Sequence, residues 1–178
     1  MRPEFIKEDI TMSKFEQQAM KMADKKLDEK SIKDLTVYAC IIIASILMHD
    51  GDHIRQAFNW TYSIPASLWA LNLTVYVLPV ISLFLARTGR FSATLVTAVA
   101  GVFASASFLI LHLCGSFTGV WGIWNFSYFQ LMEGVTYNGV FYQGVDTLSW
   151  IFLFEVPVLS IPSSIAAFRR YLKLKKEA

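Results

Sequence analysis

FSATLVTAVAGVFASASFLILHLC, residues 91–114, carries no Lys, Arg, Asp or Glu from end to end. A helix over this stretch, rising 1.5 Å per residue, crosses the roughly 30 Å hydrocarbon core of a bilayer. Three further stretches read the same way: Ile32 to Phe58, Leu68 to Ala86 and Thr147 to Phe168. Together they predict an all-α membrane protein, a bundle of four transmembrane helices occupying residues 32–168.

The cations orient this bundle. Lys25, Lys26, Lys30 and Lys33 precede the first stretch, and Arg87 and Arg90 join the second to the third. Arg169, Arg170, Lys173, Lys175 and Lys176 follow the fourth, in a basic tail over 169–178. The two remaining loops hold only Arg55 as a possible cation and are rich in Trp and Tyr, which suit the membrane interface. Both termini are therefore expected in the cytoplasm, with two loops outside.

Composition agrees, because 54% hydrophobic and 15% aromatic residues in a chain of 178 are too apolar for an ordinary soluble domain. The net charge of +2 says little as a total, since the basic residues gather where they meet anionic lipid headgroups. The lipid bilayer is the expected partner, and nucleic-acid binding is not implied.

Residues 1–31 form a charged segment without the apolar core of a signal peptide, so cleavage is not expected. Ser13 and Glu16 have capping-box spacing, and Phe15, Ala19, Met22, Ala23 and Leu27 recur at helical intervals. A short amphipathic helix on the inner surface fits this pattern; so does a partly helical, solvated tail. Ser31 and Asp34 repeat the capping spacing and mark a start for the first membrane helix. Cys40 and Cys114 fall near opposite faces of the bilayer, too far apart for a disulfide, and read as free thiols. The segment from Gly115 to Asp146, with Trp121, Trp124, Tyr128, Tyr137 and Tyr142, reads as an aromatic outer loop lying against the interface. It would serve as a lid over an outer pocket or as a surface for a larger complex.

Chemistry concentrates at His49-Asp50-Gly51-Asp52-His53. Residues i and i+4 share a helix face, so His49 and His53 stack one turn apart with Asp52 and Gln56 beside them. The spacing is related to the zinc motif H-E-x-x-H, with Asp50 in the general-base position. The plainer reading is a solvated helix end whose charges terminate the span.

Depth brings more polar residues to the same level. His112 lies about 31 Å along the third helix from Phe91, at a height similar to His53. Glu155 lies about 20 Å above Phe168, and His49 about 21 Å above Leu35. On the third helix Thr94, Gly101 and Ser105 fall on the His112 face, and small residues mark the side that packs against other helices. Glu155 is the only acidic residue deep in an apolar span, and it reads as a functional carboxylate facing inward or as a protonated acid bonded to a backbone carbonyl freed by Pro157. Asn72 and Tyr76, one turn apart, are candidates for a substrate pocket or for interhelical hydrogen bonding.

Phosphate-binding glycine loops, nucleophile elbows and CxxC pairs are absent from the sequence. The residues instead suggest a membrane metalloprotein, with His49, His53, His112 and Asp52 as ligands to a transition metal, zinc foremost. Glu155 and Asp50 supply the acid and base, in a metal-dependent hydrolase acting on a lipid or other membrane-partitioned substrate. Other readings are a haem held by the same histidines for electron transfer, a small proton- or ion-coupled transporter, and a non-catalytic subunit of a membrane complex. A transporter of this size would need to form a homo-oligomer.

The orientation is open to test by cysteine labelling from outside. Single cysteines placed at Asn59 and Asn138 are expected to react with a membrane-impermeant reagent, and one at Thr88 is not. Labelling at Thr88 would reverse the topology.

Overall fold

The computed structural model describes residues 25–60, 66–113, 135–137, 140–142 and 146–177. Four helices dominate: α1 over Glu29–Trp60, α2 over Ala66–Arg87, α3 over Ala93–Leu113 and α4 over Thr147–Lys176. All four contain windows long and apolar enough to cross a bilayer, as in a multi-pass membrane protein. Between α3 and α4 lies a two-stranded antiparallel hairpin, β1 over Val135–Tyr137 and β2 over Val140–Tyr142, with Thr136 opposite Phe141. This hairpin was not expected from the helical reading of the chain. The remainder of the aromatic loop, with the Ser13–Ala23 amphipathic segment, lies outside the described residues.

Consecutive helices pack side by side and α4 closes the ring against α1, giving an up-down-up-down bundle. Two apolar clusters fill it. Ile42, Ile46, Ala100, Ala104, Phe108, Leu153 and Val156 form one in the middle. Leu27, Leu35, Ala86, Phe91, Ala167 and Leu174 form the other at the basic end. Large side chains such as Leu73, Phe84, Val102 and Val158 point outward and are exposed. An apolar exterior of this extent suits hydrocarbon rather than water.

Three differences from the sequence reading concern helix ends. α1 starts at Glu29, less than one turn before the Ser31–Asp34 signal would place it, because Asp28 Oδ1 accepts from the Ser31 backbone N–H at 2.6 Å. Those Ser31 bonds, helped by Arg170, hold the Asp28 carboxyl below its ordinary value. Leu27 belongs to an extended segment, where its N–H donates to the Gly89 carbonyl at 3.0 Å and its side chain is buried. α4 runs on to Lys176, past Phe168, since nothing in Arg169–Lys176 breaks a helix and Leu174 packs into the basic-end cluster. Arg170 reaches back to Ser31 Oγ at 2.6 Å, and Lys25 Nζ donates to the Leu174 carbonyl at 2.7 Å.

α2 ends in a Schellman turn. Gly89 takes φ +68°, its N–H donates to Ala86 O at 2.9 Å and the Arg90 N–H to Leu85 O at 2.9 Å. This tight reversal sets α3 directly beside α2. α3 then meets α4 through small residues: a Cβ added at Gly101 would lie 2.6 Å from the Ser160 backbone carbonyl. At Gly51 an added Cβ meets nothing within 4 Å.

The two glycines should therefore respond oppositely to alanine. Gly101→Ala is expected to lose about 1–3 kcal/mol by forcing α3 and α4 apart. Gly51→Ala should be neutral or gain roughly 0.5–1 kcal/mol from reduced backbone freedom. Thermal unfolding of the two variants in the same detergent separates these outcomes.

Candidate metal centre

The second half of α1 presents two polar faces. His49, Asp52, His53 and Gln56 lie on the side toward α3 and α4, and Asp50 lies about 100° away, toward α2. Because α3 runs antiparallel to α2 from the basic end, its last turn delivers His112 to the same level as His53. The helical spacing that aligns Thr94, Gly101, Ser105 and His112 buries all four.

Three histidines thus converge. Their candidate ligand nitrogens all lie within 4.8 Å of one another, with ring centroids 4.6, 4.9 and 5.3 Å apart. His112 Nδ1 faces the Phe108 carbonyl at 2.9 Å, and a carbonyl only accepts, so this nitrogen carries the proton. In a neutral His112 the Nε2 is then the acceptor in its 3.3 Å hydrogen bond with His53 Nε2. His49 Nδ1 faces the Phe152 carbonyl of α4 at 3.4 Å, while its Nε2 is buried without a hydrogen-bond partner. Two backbone carbonyls therefore fix ring orientation in the manner that outer-shell groups fix metal-binding histidines.

One pair has the spacing of ligands to a small ion. Two nitrogens each about 2.0–2.1 Å from a tetrahedral zinc lie about 3.3 Å apart, the separation between His53 and His112 Nε2. Phe108, 4.5 Å from the His49 ring centroid, walls the group from the bundle interior.

Among the described residues, none of the carboxylates joins this group of ligand atoms. Asp52 is 2% exposed and spends its oxygens elsewhere: Oδ1 accepts from Arg55 Nε at 2.7 Å and Oδ2 from Gln56 Nε2 at 2.8 Å. Asp50 Oδ2 accepts from Asn72 Nδ2 at 2.7 Å and from the Tyr76 hydroxyl at 2.5 Å. Asn72 and Tyr76, read from sequence as substrate-pocket residues or as interhelical hydrogen-bonding ones, tie α2 to α1 through Asp50. Glu155 sits on α4 one turn from Phe152, its two oxygens buried and without hydrogen-bond partners among the described residues. The structure brings together the three histidines and, separately, Asp50 with Asn72 and Tyr76.

Sequence reading missed the outermost layer. Arg55 grips Asp146 with both terminal nitrogens at 2.8 Å and reaches Ser149 Oγ at 3.0 Å. Gln56 also donates to Ser149 Oγ at 2.7 Å. Asp146 is the N-cap of α4, accepting from the Ser149 N–H at 2.9 Å. The signal was present in Asp146-Thr147-Leu148-Ser149, an acidic cap immediately before an apolar run. A five-membered network of Asp52, Arg55, Gln56, Asp146 and Ser149 consequently fastens α1 to α4 beside the histidines.

No known protein family, curated protein or solved structure matches the chain.

The Arg55 guanidinium, with the Ser149 backbone N–H behind it, holds the Asp146 carboxyl down to about 2 from an ordinary 3.8. A carboxyl depressed on folding contributes stability above its unfolded value and loses that contribution as pH falls through the folded one. Stability is therefore expected to be flat with respect to this group above 3.8 and to fall between 3.8 and about 2. Asp146→Asn, which keeps a capping side chain but removes the charge, should lose that acid-side component. Unfolding midpoints measured down to the acid limit of the detergent check it.

Proposed function

We propose that the chain is a multi-pass membrane metalloprotein, oriented with both termini in the cytoplasm, in which His49, His53 and His112 hold one transition metal ion, zinc foremost. The observation that carries this reading is the convergence of three buried or half-buried imidazoles whose Nδ1 atoms, at His49 and His112, face backbone carbonyls. The opposite nitrogen of His49 is buried and has no hydrogen-bond partner among the described residues. An orphaned nitrogen of this kind costs free energy unless a proton donor or a cation meets it.

Three protein ligands leave a fourth position for water, which a bound zinc makes nucleophilic near neutral pH. Hydrolysis of a lipid or other membrane-partitioned substrate is accordingly the proposed reaction class. Asp52 lies beside the histidines as a buried negative charge shared with Arg55, suited to balancing a cation rather than ligating it. Glu155, whose oxygens are unpaired, is the proposed acid–base group. Asp50, engaged by Tyr76 and Asn72, serves in positioning α2. A haem held by two of these histidines would need axial nitrogens on opposite sides of iron, about 4 Å apart with the macrocycle between them. The 3.3 Å separation of the His53 and His112 nitrogens favours a single small ion.

Elemental analysis of protein purified without a metal-affinity column is expected to give about one transition metal per chain. His49→Ala, His53→Ala and His112→Ala should each lower that content severalfold while leaving helical circular dichroism intact. Full metal content in the His112 variant, or none in the parent, would sink the assignment.

A further inference from the structure

From the middle of the bundle toward the end remote from the histidines, α3 and α4 flank a groove of about 830 Å³ on the outer surface. Val99, Val102, Phe103, Ile165 and Phe168 line it, and all five are exposed. Its mouth toward the basic end is formed by Leu172 and Arg169. Arg169 also lines a second, smaller cavity of about 200 Å³ between α1 and α4, with Arg170, Lys173 and Tyr38. Asp34 is the carboxylate in that cavity. The apolar groove and the cationic cavity thus share one residue.

Helical spacing strengthens the juxtaposition. Arg169, Lys173 and Lys176 stand at i, i+4 and i+7 along one face of α4, all exposed, and none of the three takes part in an ion pair recorded among the described residues. Arg170 differs: it is turned inward to Asp28 and Ser31, so its charge is already partly spent. The face that remains is an apolar trough running along the span and ending under a row of cations at the level where lipid headgroups lie.

We propose that this groove is a binding site for one anionic phospholipid, its acyl chain lying along Val99, Phe103, Ile165 and Phe168 and its phosphate held by Arg169 and Lys173. Charge complementarity selects the headgroup: Arg169 stands at the mouth with Lys173 one turn further along α4 in the adjoining cavity, and a guanidinium matches phosphate oxygens in a bidentate fork. Hydrocarbon selects the tail, because the trough faces the membrane and offers an acyl chain contacts on two helices instead of one. The lipid would wedge against the Gly101–Ser160 crossing and couple α3 to α4 near the basic end. This site is distinct from the proposed metal centre, which lies near the far end of α3.

The test uses the full chain extracted in mild detergent, stripped of lipid, and supplied with phosphatidylglycerol or phosphatidylcholine. Native mass spectrometry is expected to show one phosphatidylglycerol retained per chain and much weaker retention of phosphatidylcholine. Arg169→Gln/Lys173→Gln should cut phosphatidylglycerol retention roughly tenfold or more. Lys30→Gln/Lys33→Gln, which removes the same charge from α1 outside both cavities, should leave it near the parent level. Ala106→Trp, filling the groove, should abolish retention, with Ala106→Leu as the milder variant if the first does not fold. Equal loss in both charge variants would mean general surface attraction and overturn the proposal. So would retention unchanged by filling the groove, or a lipid-free dimer that groove filling dissociates, which would make the occupant a second copy of the chain.

Discussion

Hydrocarbon supplies no hydrogen-bond partner, so every polar side chain that enters the span must find its own inside the bundle. Much of the arrangement of this protein follows from how several of them do so, although Glu155 has no such partner among the described residues. Asp50 turns to α2 and accepts from Asn72 and Tyr76, and Asp52 turns the other way to Arg55 and Gln56. Ser82 and Thr97 hydrogen-bond to each other across α2 and α3, and Ser45 and Ser160 approach at 3.3 Å across α1 and α4. Interhelical polar contacts of this kind contribute modestly one by one, on the order of 0.6 kcal/mol in membrane proteins. Their larger effect is on register, because a one-turn slip of any helix would leave several groups unpaired at once.

Close approach of α3 to α4 makes that register matter for the histidines. With Gly101 seated against the Ser160 carbonyl, the rest of α3 is set in height and rotation. His112, a little over three turns further on, is therefore placed by packing rather than by a flexible loop. His49 and His53 are placed by α1, whose outer half is clamped to α2 through Asp50 and to α4 through Arg55. Groups held on two braced helices keep their mutual geometry, which is what a metal site requires of its ligands.

Much of this was readable because periodicity and charge act over long windows. The four spans, the shared face of His49 and His53, and the inward direction of His112 all follow from 1.5 Å and 100° per residue. Equal depth brought His53 and His112 together on paper as in the structure. Depth could not assign Glu155 or Asp50 to a particular neighbour, since helix rotation and crossing decide lateral contacts, and sequence fixes neither. Arg55 was read only as a stray cation in an outer loop, whereas its value lies in a bond to Asp146, 91 residues away. The hairpin was overlooked although Asn138-Gly139 stands between its two strands, a dipeptide that favours a tight two-residue reversal. The aromatic composition around it drew the reading toward the interface and away from strand pairing.

The bundle is fastened differently at its two ends. At the basic end the Gly89 turn binds the chain before α1 through main-chain groups, and Lys25 binds a main-chain carbonyl of α4. At the histidine end the α1–α4 link depends on a guanidinium and a carboxylate, of which Asp146 is 54% exposed. Mobile ions screen the second kind of link over a Debye length of about 8 Å at physiological ionic strength and have little hold on the first. Ionic strength therefore acts unequally on the two ends: salt beside Asp146 loosens the charged α1–α4 link next to the histidines, whereas at the basic end it reaches the exposed Arg170–Asp28 pair but leaves the main-chain bonds in place.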